Sequence, residues 1–164
     1  MTRRDARADA LRLRDRTDSD WPALLSVWVA AWRVTFPEID FDARRDWLVN
    51  QIITLEAKGA RTLCLFTTAI DPASADLAGF VTINPATGWL DQICVGPAYF
   101  GQGFADELLA VAKEISPQQI RLDVNADNQR ARAFYARNGF AAIGAGASAL
   151  SGRATILMEW RATR

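Results

Sequence analysis

The apolar pattern of the chain changes period at Arg61, and that change restricts the fold more than any other feature of the sequence. Before it, Trp21, Leu25, Trp28, Trp32 and Phe36 recur mostly four residues apart, the apolar stripe of a helix. Thr17 and Asp18 are its capping candidates, Pro22 fits its first turn and Pro37 ends it. A second helix is expected over Phe41 to Lys58, with Trp47, Leu48, Ile52 and Leu55 inward and Gly59 as its stop. After Arg61 come three strand-like runs, Thr62 to Thr68, Leu77 to Ile83 and Trp89 to Val95. Their joints, Asp71-Pro72-Ala73-Ser74 and Asn84-Pro85-Ala86-Thr87-Gly88, are rich in turn formers, so the three runs should form a meander.

The flanking segments complete a mixed sheet. Leu11 to Arg16 alternates with period two, as a strand with one wet face does. A helix over Gly103 to Ser116 leads to Ile120 to Val124, a connection long enough for a parallel crossover. A further helix from about Asn128 to Asn138 precedes strands near Phe140 to Ile143 and Thr155 to Trp160. The expectation is a mixed α/β fold of about seven strands and four helices, one domain over residues 10–161. Residues 1–9 and Thr163-Arg164 are expected to be loose ends.

Composition removes several functional classes. Nineteen basic residues balance nineteen acidic ones in 164, which gives no overall field for nucleic acid or an anionic membrane. No apolar stretch is long enough for a membrane span, and Met1 to Asp9 lacks the apolar core of a secretion signal, so a cytoplasmic location is expected. The chain has no histidine. Cys64 and Cys94 sit singly in strand-like runs, which reads as two buried thiols, with no metal site and no disulfide framework.

At the end of the third run stands Val95-Gly96-Pro97-Ala98-Tyr99-Phe100-Gly101-Gln102-Gly103-Phe104-Ala105: a strand end, a glycine turn and a helix start. Such a place converges backbone N–H groups on an anion, and a phosphate-bearing ligand is the leading inference. A plain tight turn is the other reading of the same residues. A dinucleotide fingerprint would need a small residue where Asp106 stands, and the Gly-Lys-Ser/Thr of a Walker loop is absent.

These residues resemble the GNAT superfamily, the Gcn5-related N-acetyltransferases. The family's acyl-CoA motif runs Arg or Gln, two residues, Gly, one residue, Gly or Ala. Here Gly103 and Ala105 match it, Gly101 is the extra glycine common in the family, and Phe100 replaces the usual Arg or Gln. The second segment, Leu122 to Phe140, resembles the family's strand, its Asn-x-x-Ala-x-x-Phe-Tyr helix at Asn128, Ala131, Phe134 and Tyr135, and its Gly139-Phe140 exit. With Leu90 to Val95 as the preceding strand, the resemblance covers about residues 11 to 160.

The resemblance implies a GNAT acyltransferase fold using acetyl-CoA as cosubstrate. It implies that backbone groups of Ile93, Cys94 and Val95 pair with the pantetheine arm. Amides of Gly101, Gln102, Gly103, Phe104 and Ala105 would cradle the pyrophosphate, and Asn128 would cap its helix while touching the cofactor. Tyr135 would sit beside the CoA sulfur as hydrogen-bond or proton donor to the leaving thiolate; packing of the helix against the sheet is its other reading. An amine attacks only when neutral, so a base is needed, and without histidine the carboxylates are the candidates. Asp91 is the first choice, with Glu38 and Asp40 behind it; an exposed strand-end carboxylate is the alternative for Asp91.

The acceptor is expected among Trp28 to Trp47 and the loop before the last strand. Trp32, Phe36 and Phe41 are candidate lining residues, and Arg33 or Arg45 a candidate carboxylate binder, against the readings of core packing and surface charge. A small-molecule primary amine is the leading acceptor, and a protein N-terminus or lysine is an alternative. A noncatalytic acyl-CoA-binding or sensory module is the competing class. A homodimer would be unsurprising, and neither nucleic acid nor membrane is expected as a partner.

Overall fold

The computed structural model describes residues 11–67 and 76–163. The expected loose end at 1–9, the end of the second run at Thr68 and the turn at Asp71-Pro72-Ala73-Ser74 lie outside these residues. Four strands, β1 (Leu11–Asp15), β2 (Arg61–Thr67), β3 (Leu77–Ile83) and β4 (Leu90–Val95), form an antiparallel sheet in the order β1-β2-β3-β4. The expected meander is its larger part. Three more, β5 (Gln119–Asn125), β6 (Ala141–Ala147) and β7 (Ala154–Arg161), form a second sheet in the order β5-β7-β6. The helices are α1 (Trp21–Thr35), α2 (Arg45–Ala57), α3 (Phe104–Ile115) and α4 (Gln129–Arg137).

Burial follows the alternation of the strands. Cys64, Leu77 and Phe80 point into a core shared with Leu24, Trp28, Leu48 and Ile52 of α1 and α2. Leu63, Leu65, Val81 and Ile83 point the other way, onto Leu108, Leu109 and Ala112 of α3. Every residue of β3 is therefore buried, and the one polar side chain in it, Thr82, is satisfied by its cross-strand partner Thr62 at 2.9 Å.

Two boundaries differ from expectation by more than one residue. Residues 42–44 form a separate 3-10 turn, with Ala43 N–H donating to Asp40 Oδ1, so α2 begins at Arg45 and not at Phe41. Strand β6 runs through Ala147 and is exposed along its whole length, an edge of alanine and glycine around Ile143 with no apolar alternation to mark it.

The two sheets meet at one point. Among the described residues a single parallel bridge links them, from Trp89, just before β4, to Arg121 of β5, with Arg121 N–H donating to the Gly88 carbonyl at 2.9 Å. Past that bridge the strands part, and the edge of β4 away from β3 is left without a strand.

Candidate active site

The parting strands open into a cavity of about 870 Å³ lined by α1, α2, β4, the 97–105 turn, β5, α4 and the 147–155 loop. Its floor is built by β4. The register with β3 passes from Thr82↔Gln92 to Ile83↔Leu90, which leaves Asp91 as the extra residue of a bulge. Bulges re-aim side chains, so the simple alternation that would group Asp91 with Ile93 and Val95 does not hold across it. Asp91, Ile93, Cys94 and Val95 all line the cavity. The Asp91 carboxylate is oriented by two amides, Gln51 Nε2 to Oδ1 and Gln92 Nε2 to Oδ2, each at 3.2 Å.

Across the gap, Asp123 of β5 also lines the cavity. It stands two residues past Arg121, as Asp91 stands two past Trp89. Its carboxyl is raised, first by partial loss of water and then by the charge of Asp91. Two carboxylates near each other at the mouth of a V attract a cation.

The wall beside them is aromatic. Trp28 meets Phe41 edge-on at 5.4 Å, and Trp32 stacks on Phe36 and Phe41 at 5.8 and 5.7 Å. Trp32, Phe36 and Phe41 do line the cavity. Trp28 does so while 2% exposed, and its indole N–H has no hydrogen-bond partner among the described residues. Arg153, before β7, closes the far end: it donates to Glu38 Oε1 and Asp127 Oδ2, both at 3.0 Å, and lies 4.5 Å from the Phe36 ring.

At the other end, Gly101 and Gly103 have φ of +73° and +84°, the left-handed region that side chains with a Cβ resist. A Cβ built on Gly101 meets nothing within 4 Å, so conformation and not crowding selects glycine there. Gly103 is the N-cap of α3 and, being glycine, has no side chain with which to cap it. Its first intrahelical bond is Glu107 N–H to the Gly103 carbonyl at 3.1 Å, so the amides before Glu107 precede the intrahelical ladder, as at any helix start. Gly101, Gly103, Phe104 and Ala105 line the cavity, whereas the Gln102 side chain turns back to the Ala98 carbonyl at 3.1 Å.

Helix α4 supplies the third wall. Asn128 caps it, its side chain accepting from Ala131 N–H at 3.2 Å. Tyr135 is 7% exposed, packed between Phe134 and Phe140, and lines the cavity with Cys94. Burial, and then the neighbouring Cys94, raise its phenol above the usual tyrosine range. Burial also pushes the thiols of Cys64 and Cys94 up to about 12, so neither is a thiolate at neutral pH.

The remaining candidates stand apart. Glu38 and Asp40 do not line the cavity, and Arg33 and Arg45 are both paired with Asp42 outside it. Sequence reasoning missed Asp123, Gln51 and Arg130. Asp123 becomes visible only once β4 and β5 are set in register.

The acetyltransferase (GNAT) family model matches residues 21–140, and the chain belongs to that family. The fold agrees with solved structures. PaiA N-acetyltransferase from Thermoplasma acidophilum, in complex with coenzyme A, is 20% identical with a TM-score of 0.72, over 92% of this chain and 98% of that one. A spermidine N-acetyltransferase SpeG chimera from Vibrio cholerae and hSSAT is 22% identical with a TM-score of 0.65, over 93% and 95%. Apo YjaB from Escherichia coli is 16% identical with a TM-score of 0.69, over 93% and 99%. At these identities the likeness establishes the fold. The comparison with curated proteins returns no match.

The residues present fit an acyl-CoA. The edge of β4 away from β3 carries no strand, and the glycine turn with the start of α3 lines the same cavity, a shape and backbone chemistry that suit an extended arm ending in a diphosphate.

Proposed function

We propose that this protein transfers an acetyl group from acetyl-CoA to the primary amine of a small molecule, by direct attack within a ternary complex. The observation that carries this reading is the pair Asp91 and Asp123 at the parting of β4 and β5, between an aromatic wall and the glycine turn. Acetyl-CoA supplies an activated acetyl thioester. The diphosphate falls to the backbone of residues 101–105, with Asn128 beside it, and the arm falls to the open edge of Ile93, Cys94 and Val95.

An amine arrives as an ammonium ion, since a lysine-like amine has a pKa of about 10.4. Asp91 and Asp123 attract it, and the aromatic wall takes its apolar body. Asp91, held by Gln51 and Gln92, accepts the proton that must leave nitrogen. On this reading a backbone N–H near Ile93 stabilises negative charge on the acyl oxygen. Tyr135 keeps its proton, because burial raises the phenol. The same dryness disfavours a bare thiolate, so Tyr135 acts as hydrogen-bond donor to the departing sulfur. High thiol pKa values at Cys64 and Cys94 favour direct transfer over an acyl-cysteine route. The name of the spermidine enzyme, a fold relative, is in keeping with an amine acceptor.

The test is acetyl-CoA turnover with a panel of primary amines, run beside calorimetry of CoA binding. Turnover with small amines supports the proposal. Turnover only with peptides would place the acceptor on proteins, and CoA binding without turnover on either panel would make the protein an acyl-CoA-binding module.

A further inference from the structure

The turn that faces the proposed diphosphate carries no basic side chain: residues 96–105 read Gly-Pro-Ala-Tyr-Phe-Gly-Gln-Gly-Phe-Ala, followed by Asp106. Backbone amides and a helix start provide only partial positive charge against a ligand with several full negative ones. The missing charge is found across the cavity. Arg130, in the first turn of α4, places its guanidinium carbon 4.4 Å from the centroid of the Phe100 ring. Both residues line the cavity. Among the described residues no carboxylate forms an ion pair with Arg130, whereas Arg153 at the opposite end is held by two.

An aromatic seat suits this task. A guanidinium resting on a ring spends no hydrogen-bond donor on the contact, so its N–H groups stay available to phosphate oxygens in a fixed place. Phe100 occupies the position where the family motif has Arg or Gln, so the aromatic residue that removes a polar group from the turn also holds one delivered from α4.

Resting on the reading that acyl-CoA occupies this cavity, we propose that Arg130, seated on Phe100, is the cationic partner of the CoA diphosphate. The two residues form one binding unit. Calorimetric titration of wild type, Arg130→Ala, Phe100→Ala and the double variant with CoA, dephospho-CoA and pantetheine tests it, with thermal melts confirming that each variant is folded.

Arg130→Ala is expected to weaken CoA and dephospho-CoA alike by about tenfold or more, and to leave pantetheine, which has no phosphate group, unchanged. Phe100→Ala should weaken both nucleotides less, and the double variant should bind no more weakly than Arg130→Ala alone. The proposal is overturned if Arg130→Ala binds CoA as wild type does, if the loss spares dephospho-CoA, or if the two losses simply add. A folded wild type that ignores CoA would instead overturn the acyl-CoA reading itself.

Discussion

Gln51 of α2 donates its side-chain amide to Asp91 on the β4 bulge at 3.2 Å, across forty residues of sequence. Together with the Gln92 amide it orients a carboxylate on an open strand edge. Asp91→Asn is expected to lower kcat by roughly 100-fold or more, the usual range for a lost general base, with CoA affinity unchanged. Gln51→Ala keeps the carboxylate and one of its two orienting amides, so a smaller loss of about tenfold in kcat is expected. Steady-state kinetics with calorimetry of CoA checks both, and equal activity of Asp91→Asn and wild type would remove Asp91 from the reaction.

Tyr135→Phe should reduce turnover about tenfold or more while CoA binding holds, because only the O–H is lost from a packed ring. The sign of the pH effect is fixed by the raised phenol: it stays protonated where an ordinary tyrosine at about 10 begins to ionise. The wild-type rate should show no alkaline loss attributable to Tyr135 up to about pH 10. A fall below that pH that vanishes in Tyr135→Phe would contradict the buried, neutral phenol.

Gly103→Val forces a branched side chain into a left-handed φ of +84° at the start of α3. The strain is about 1–3 kcal/mol, and the added atoms crowd the cradle. Calorimetry should record CoA binding at least about tenfold weaker in a variant that still melts cooperatively. Unaltered affinity in such a variant would move the diphosphate elsewhere.

Away from the cavity, Asp20 ties the start of α1 to β1. Hydrogen bonds from Arg14 at 2.7 and 2.9 Å, helped by the Thr17 N–H at 2.8 Å, outweigh the cost of burial and hold its carboxyl down to about 2. A depressed carboxyl stabilises the fold above its unfolded pKa of about 3.9, and that contribution is lost as pH falls through the folded value. Asp20→Asn should therefore cost up to about 2 kcal/mol at pH 7 and little near about pH 2. Urea unfolding at several pH values tests this, and a deficit that persists undiminished in acid would refute it.

Much of the fold and site is legible in the sequence. The change of period at Arg61 separated helices from meander because each face of β3 is covered and the runs are strongly apolar. The glycine turn and the Asn128 cap were legible because their backbone geometry demands particular residues. Asp123 was hidden, since its place depends on a bridge between strands that a long crossover separates. The Asp91 bulge was hidden for a related reason: a one-residue register shift leaves no mark on composition. Arg130 was passed over because a helix-surface arginine acquires meaning only from the ring beneath it.

The clasp at Arg153 joins three stretches far apart along the chain, and each joint is ionic or aromatic and partly wet. Concentrated electrolyte loosens contacts of that kind while leaving the oily floor alone. That end of the chamber is thus held by joints whose strength answers to the surrounding ions.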